Sequence, residues 1–240
     1  MIVTTFDSSR IDALRRRAQT ACALKNEAPA GWSKSAIDPT RLLAVFEALR
    51  LKEGFARRAY QFRDGGNGNG VVWAMPASSP FPDPEDCTRF EDGFLESPRP
   101  PDALDDVMQV IDGDGTPWSY LCASLFQRET LEFGAMWHGS DWGTHRILDR
   151  NPFTSTARGR RRGEDWPSGR AGAWRWQLAD PDEWRPHVTQ DDAGVTVTLV
   201  TFSGLGGEAI CRHTDRFRMG SYCFDSDREV LATGPSGYVF

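Results

Sequence analysis

Hydrophobic residues in the first fifty positions recur at helical spacing. Ile11, Leu14, Ala18, Ala21 and Cys22 are three and four apart, and Asp7-Ser8-Ser9 ahead of them can cap the first turn. Arg15-Arg16-Arg17 crosses this helix and reads as a solvated face. Ala28-Pro29-Ala30-Gly31 ends it. A second helix is predicted with Asp38 as cap and Pro39 at its first position. Leu42, Leu43, Phe46 and Leu49 form its stripe, and Gly54 supplies the stop.

The period then changes to two. Arg58, Tyr60 and Phe62 alternate with Ala59, Gln61 and Arg63, the glycine-rich Asp64–Gly70 follows, and Val71–Met75 continues. This pattern predicts a β-hairpin. The glycines do not make a phosphate loop, which needs a following helix and a Lys-Ser/Thr pair. Pro76 to Pro101 is rich in proline and acids and reads as a long wrapped loop or lid. Leu104, Val107, Met108 and Ile111 fit a short helix, broken by Gly113-Asp-Gly115. Trp118, Leu121, Cys122, Leu125 and Phe126 fit a helix that starts at Thr116-Pro117, and a strand with Tyr120 and Cys122 on one face fits nearly as well.

Leu131, Phe133, Ala135 and Trp137 alternate and predict a strand that enters Phe133–His145. Asn151 to Gly172, with its arginine run 158–162, reads as a loop. From Ala173 onward the signal is β. Trp174 and Trp176 alternate, and 184–190 reads as an edge strand interrupted by Pro186. Val195–Phe202 is the strongest strand, Gly204-Leu-Gly-Gly207 turns it, and short strands follow at 209–214, 221–224, 229–233 and 238–240. The expected fold class is α+β: N-terminal helices and a β-hairpin packed on a C-terminal antiparallel β-meander that can close into a barrel. The chain is read as a single domain, 1–240, with a helical and hairpin part over 1–115 and a β-rich part over 116–240.

Composition narrows the function. A net charge of −6 argues against a nucleic-acid binder, which needs a basic face. Nine tryptophans favour a tight core, an aromatic-lined pocket or both. Five cysteines without a C-x-x-C suggest neither a disulfide framework nor a zinc ribbon, but free thiols in a reducing compartment. No stretch approaches the ~18 apolar residues of a membrane helix, and the N-terminus lacks the pattern of a signal peptide. A cytoplasmic location and no membrane partner are expected.

Phe133–His145 concentrates Trp137, His138, Asp141, Trp142 and His145 among three glycines. Gly134-Ala-Met-Trp137-His-Gly139, opening a run of strands, resembles the glycine-tryptophan start of calycin (lipocalin-like) barrels over residues 130–240. The spacing here is G-x-x-W, where lipocalins have G-x-W. The resemblance implies a barrel that binds small apolar ligands, with some members acting as enzymes.

On an extended segment His138 and Trp142 share one face, and Trp137, Asp141 and His145 share the other. Trp137, Trp142, Asp141 and His145 are accordingly expected to line a ligand pocket, with His138 available for proton transfer. His213 and Asp215, two apart on a strand, point to the same side, and a carboxylate beside an imidazole suits a general acid/base. A metal held by His138, His145, His213 and Asp215 lacks any fixed spacing, so no metal or other cofactor is assigned. Ser203-Gly-Leu-Gly lacks the G-x-S-x-G elbow of a serine nucleophile.

The expected function is a small-molecule-binding protein with an aromatic-lined pocket for an apolar or aromatic molecule, with or without enzymatic activity. The first alternative is a cofactor-independent isomerase, cyclase or lyase that uses a His/carboxylate pair. The second is a protein-interaction or inhibitor module.

Overall fold

The computed structural model describes residues 1–23, 29–92, 95–154, 167 and 171–239. The arginine run 158–162, expected in a loop, lies outside the described residues. In chain order the N-terminal elements are β1 (Ile2–Thr5), α1 (Ser8–Cys22), β2 (Gly31–Lys34), α2 (Thr40–Val45), β3 (Leu49–Leu51), β4 (Phe55–Asp64) and β5 (Asn67–Pro76). They are followed by β6 (Thr88–Asp92), β7 (Leu95–Arg99), β8 (Ile111–Gly113), α3 (Pro117–Leu131) and β9 (Arg146–Leu148). The C-terminal strands are β10 (Arg175–Trp176), β11 (His187–Asp191), β12 (Gly194–Ser203), β13 (Ala209–Phe217) and β14 (Phe224–Thr233). This is an α+β fold with three α-helices among the described residues and a large antiparallel sheet curled as a half-barrel.

The chain divides into two compact units. The first comprises Met1–Ala13, Thr144–Met219 and Phe224–Phe240; the second comprises Leu14–Gly143 and Gly220–Cys223.

In the first unit the strands run in the order β1-β11-β12-β13-β14-β10, with β9 also on β12, and every pairing is antiparallel. Alternation sorts β12 and β13 into two faces. Val195, Val197, Leu199 and Thr201 of β12 share a face with Cys211, His213, Asp215 and Phe217 of β13, and all are buried. Val200, Phe202, Ile210 and Ala232 form the opposite face, in one apolar cluster with Leu148, Trp174 and Trp184. Cys211 pairs with Val230 and Ile210 with Ala232, so Leu231 is the extra residue of a β-bulge.

Two expectations are corrected here. β11 is an interior strand between β1 and β12, because Pro186 lies just outside it and only accepts, from the Phe6 N–H at 2.8 Å. No strand forms at 221–223; β14 starts at Phe224 and runs without a break to Thr233.

In the second unit the hairpin forms as its pattern predicts. Asp64 faces Asn67, so the loop is Gly65-Gly66 alone, and Gly65 takes φ +55°, as the primed turns of tight hairpins require. β2 adds to β4, so β5 is an edge of the three-stranded sheet. Thr116 caps α3, its hydroxyl accepting from the Ser119 N–H at 3.2 Å, with Pro117 at the first helical position. This decides between helix and strand for 118–126.

The second predicted helix is shorter than its stripe. Asp38 does hold its start, accepting from the Thr40 N–H at 2.8 Å. It ends at Val45, and Leu49 instead opens β3, paired with β8. Gly54 (φ +80°) turns the chain between β3 and β4 rather than stopping a helix. The helix expected at 104–111 is one 3-10 turn, Val107–Val110, capped by Asp106. Inside the proline-rich connection, β6 and β7 pair with each other.

The glycines of β5 serve close backbone approach. The Met136 N–H donates to the Gly68 carbonyl at 2.8 Å. A Cβ on Gly139 would lie 2.6 Å from that same carbonyl oxygen, and one on Gly70 would lie 2.4 Å from the Phe133 carbonyl oxygen. A Cβ on Gly66 meets nothing nearer than 3.9 Å. Gly70→Ala is therefore expected to destabilise by at least about 1–3 kcal/mol, the usual cost of overpacking. Gly66→Ala should stay within about 0.5 kcal/mol of wild type, as at an ordinary surface position. Urea denaturation of both variants checks the contrast, and equal effects would remove the close-approach argument.

Candidate functional site

The segment Phe133–His145 is not a strand. It makes two single 3-10 turns, Trp137–Gly139 and Trp142–Thr144, and strand alternation therefore does not decide which side chains share a face. Trp137 is 60% exposed and takes φ +51°, the one non-glycine positive φ among the described residues. His138 and Asp141 are exposed, whereas Trp142 and His145 are buried. Trp137, His138, Asp141 and Trp142 belong to the second unit; His145, His213 and Asp215 belong to the first.

Trp142 joins a buried ionic network. Arg15 Nε donates to Glu129 Oε1 at 2.9 Å, and Trp142 Nε1 donates to the same oxygen at 3.0 Å. Arg15 Nη2 donates to the Trp142 carbonyl at 2.8 Å, and the guanidinium lies 4.4 Å from the indole centroid. Arg15 is only 5% exposed, which corrects the reading of its arginine triplet as wholly solvated. The missed signal was spacing: residues 11, 14, 15, 18 and 22 lie on one helical face, and 122, 125, 126 and 129 on another.

Glu132 anchors the loop. Its carboxylate accepts from the Asp141 N–H and, at 2.6 Å, from the Gly143 N–H. Burial pushes this carboxyl up to about 7, against the pull of the backbone amides of Asp141, Gly143 and Trp142, and Glu129 nearby adds repulsion.

A cleft of about 240 Å3 opens in the same unit. One wall is the edge strand, Gly70 to Trp73, and the other comes from Gln127, Thr130 and Leu131 of α3. Phe90, Leu104, Asp105, Asp106 and Val107 complete it. Trp73 is anchored by its indole N–H, which donates to the Pro98 carbonyl at 2.8 Å, and Phe90 meets it edge-on. Thr130 Oγ1 accepts from Arg57 Nη2 at 3.1 Å, so its hydroxyl is left to act as a donor. The Gln127 side-chain oxygen is buried without a hydrogen-bond partner. None of these residues was expected at a site from sequence; the Trp73 and Phe90 wall depends on contacts 17 and 25 residues apart.

In the first unit His145 Nδ1 and His213 Nε2 each lie 2.9 Å from Thr201 Oγ1. Asp215, two residues beyond His213 on the same buried face, accepts from Ser226 Oγ at 2.7 Å. The alternation on β13 thus holds as expected, and a hydroxyl between two imidazoles can pass a proton from one to the other. No protein family, curated protein or solved structure matches this chain. Among the described residues no three His, Cys, Asp or Glu side chains are grouped to hold a metal ion, and none of the five cysteines forms a disulfide. No helix among them is long and apolar enough to cross a membrane.

The Glu132 shift has a sign that can be checked. The folded state keeps this proton above the ordinary carboxyl range, so the group's contribution is present below about pH 4.5 and lost as pH rises through about 7. Stability at pH 5 minus stability at pH 8 should be more positive in wild type than in Glu132→Gln, measured by urea denaturation. An unchanged difference would mean that the carboxyl titrates normally.

Proposed function

We propose that this chain is a small-molecule-binding protein whose ligand sits in the cleft between the β5 edge and α3. The observation that carries this reading is the composition of the walls. Trp73 and Phe90 supply aromatic surface, while Gln127, Thr130, Asp105 and Asp106 supply a few polar groups that can orient a ligand. Few polar groups on a mainly apolar wall is the usual make-up of a ligand site. The aromatic pocket expected from the tryptophan content is thus assigned to Trp73 rather than to Trp137 or Trp142. At about 240 Å3 the cleft lies below the ~300–1,000 Å3 of drug-sized sites, so it suits a small ligand or one part of a longer one. The lipocalin-like reading, a barrel interior as ligand site, gives way here, because the cleft belongs to the helical and hairpin unit.

A titration with small aromatic amides tests the proposal. In 1H–15N spectra the backbone amides of 70–73 and the Gln127 side-chain amide should shift together. Gln127→Leu should leave stability unchanged or raised, since it removes a buried oxygen without a partner, and should weaken binding at least about fivefold. Shifts confined to 137–145 would sink this assignment.

A further inference from the structure

The cleft wall is a strand edge, and three hydrogen bonds fix which of its backbone groups face outward. The Met136 N–H reaches the Gly68 carbonyl on the side away from β4, and the Leu104 N–H reaches the Ala74 carbonyl there at 2.9 Å. On the far side of the hairpin, the Ser35 N–H donates to the Ala59 carbonyl at 2.9 Å, so Ala59 bonds toward β2. Ala59 faces Val72 across the hairpin. In an antiparallel ladder a residue's N–H and C=O point to the same side, and successive residues alternate. Gly68, Gly70, Val72 and Ala74 therefore direct their backbone groups outward. Gly68 and Ala74 carbonyls are taken at the two ends, and the Gly70 N–H donates to Asn69 Oδ1 at 2.9 Å. The N–H and C=O of Val72 have no protein partner among the described residues.

Val72 lies in the cleft wall and is itself buried. Buried backbone groups are nearly always paired. A chain laid antiparallel beside Val72 offers one N–H and one C=O at the spacing that both groups need. The open edge, 69 to 73, spans about 16–17 Å at ~3.3 Å per residue, room for a segment of about three residues between the two occupied ends. Two carboxylates, Asp105 and Asp106, line the cleft; Arg99 Nη2 already holds Asp105 at 2.6 Å, and Asp106 accepts from the Met108 N–H at 2.8 Å and carries the rim's second negative charge.

We propose that the cleft recognises a short extended peptide bearing a basic side chain, by β-strand addition to β5 at Val72. This rests on the cleft being the ligand site and names the ligand's chemical class. The peptide's N–H bonds to the Val72 carbonyl and its C=O accepts from the Val72 N–H. The chain also brings an N–H within reach of the Gln127 side chain, and its basic group faces the acidic rim.

The probe is a blocked tripeptide, N-acetyl-Ala-Lys-Ala-amide, with two controls: the same peptide N-methylated at lysine, and one with glutamate in place of lysine. Titration into the full chain should shift the Val72 amide downfield and slow its hydrogen exchange. The N-methylated peptide should bind at least tenfold more weakly, and the glutamate peptide more weakly than the lysine one. Val72→Pro removes an outward N–H, which an edge strand tolerates, and should abolish peptide binding. If that variant does not fold, the N-methylated peptide still decides. Equal binding of the methylated peptide, or cleft shifts that leave the Val72 amide unmoved, would overturn strand addition while the cleft remains the ligand site. No shift at 70–73 with either these peptides or the aromatic amides would remove both readings.

Discussion

Neither Arg15 nor Glu129 tolerates burial alone, and the second unit depends on their pairing. Desolvating each ion costs several kcal/mol, and deleting one partner of such a pair costs about 3–5 kcal/mol because the other is left uncompensated. The pair joins α1 to α3, and Trp142 brings in the loop beyond α3 through one donor, one acceptor and its ring face. This fixes the rotation of α3. Residues 122, 125, 126 and 129 form its inner face, so 127, 130 and 131 turn the other way, at the same three-and-four spacing. Those three are the helix's contribution to the cleft. An ion pair on one side of a helix thus sets the wall of the proposed ligand site on its other side.

The second constraint is steric. The chain after α3 approaches β5 so closely that Gly68, Gly70 and Gly139 have no room for a Cβ without movement of a neighbour. This contact occupies the edge of β5 at one end, and Leu104 occupies it at the other. Edge strands usually have to be blunted against unwanted pairing. Here the two ends are capped by the unit's own backbone, and only the stretch centred on Val72 is left. The same capping that protects the edge limits what can add to it to a short segment.

Much of the fold is legible in local sequence. Asp7 and the 11/14/18/22 stripe mark α1, Thr116-Pro117 marks α3, and the alternation of β12 and the Gly65-Gly66 turn are equally plain. What sequence hides are features set by distant partners. β1 has no turn or period of its own and exists by pairing with β11, more than 180 residues away. α2 stops early because Leu49 pairs in β3 with β8, a tertiary choice that overrides helical periodicity. The Phe133–His145 stretch misleads because its alternation is accidental: the glycines bend it into 3-10 turns, which leaves Trp137 exposed at a positive φ. Of the expected site residues, His213 and Asp215 do share a buried face and His145 meets His213 through Thr201, because strand alternation is a local rule. The cleft residues come from β5, the 90–107 region and α3, and no local pattern links them.

Polar satisfaction separates the two places where chemistry could sit. The threonine hydroxyl of Thr201 has one proton, so it can donate to only one of its two imidazoles, and the other ring must donate to it. With both rings neutral this gives His145 and His213 the same tautomer, because the hydroxyl meets Nδ1 of one ring and Nε2 of the other. Asp215 likewise has the Ser226 hydroxyl as donor. A ligand at this network must first break hydrogen bonds that are already made. In the cleft the reverse holds. Val72 presents a donor and an acceptor to an aromatic, partly acidic cleft, and the Gln127 oxygen of the other wall is buried without a partner. Groups left unpaired in a buried place carry a cost that binding removes. That cost, rather than the presence of histidines, is the reason to look for the ligand between β5 and α3.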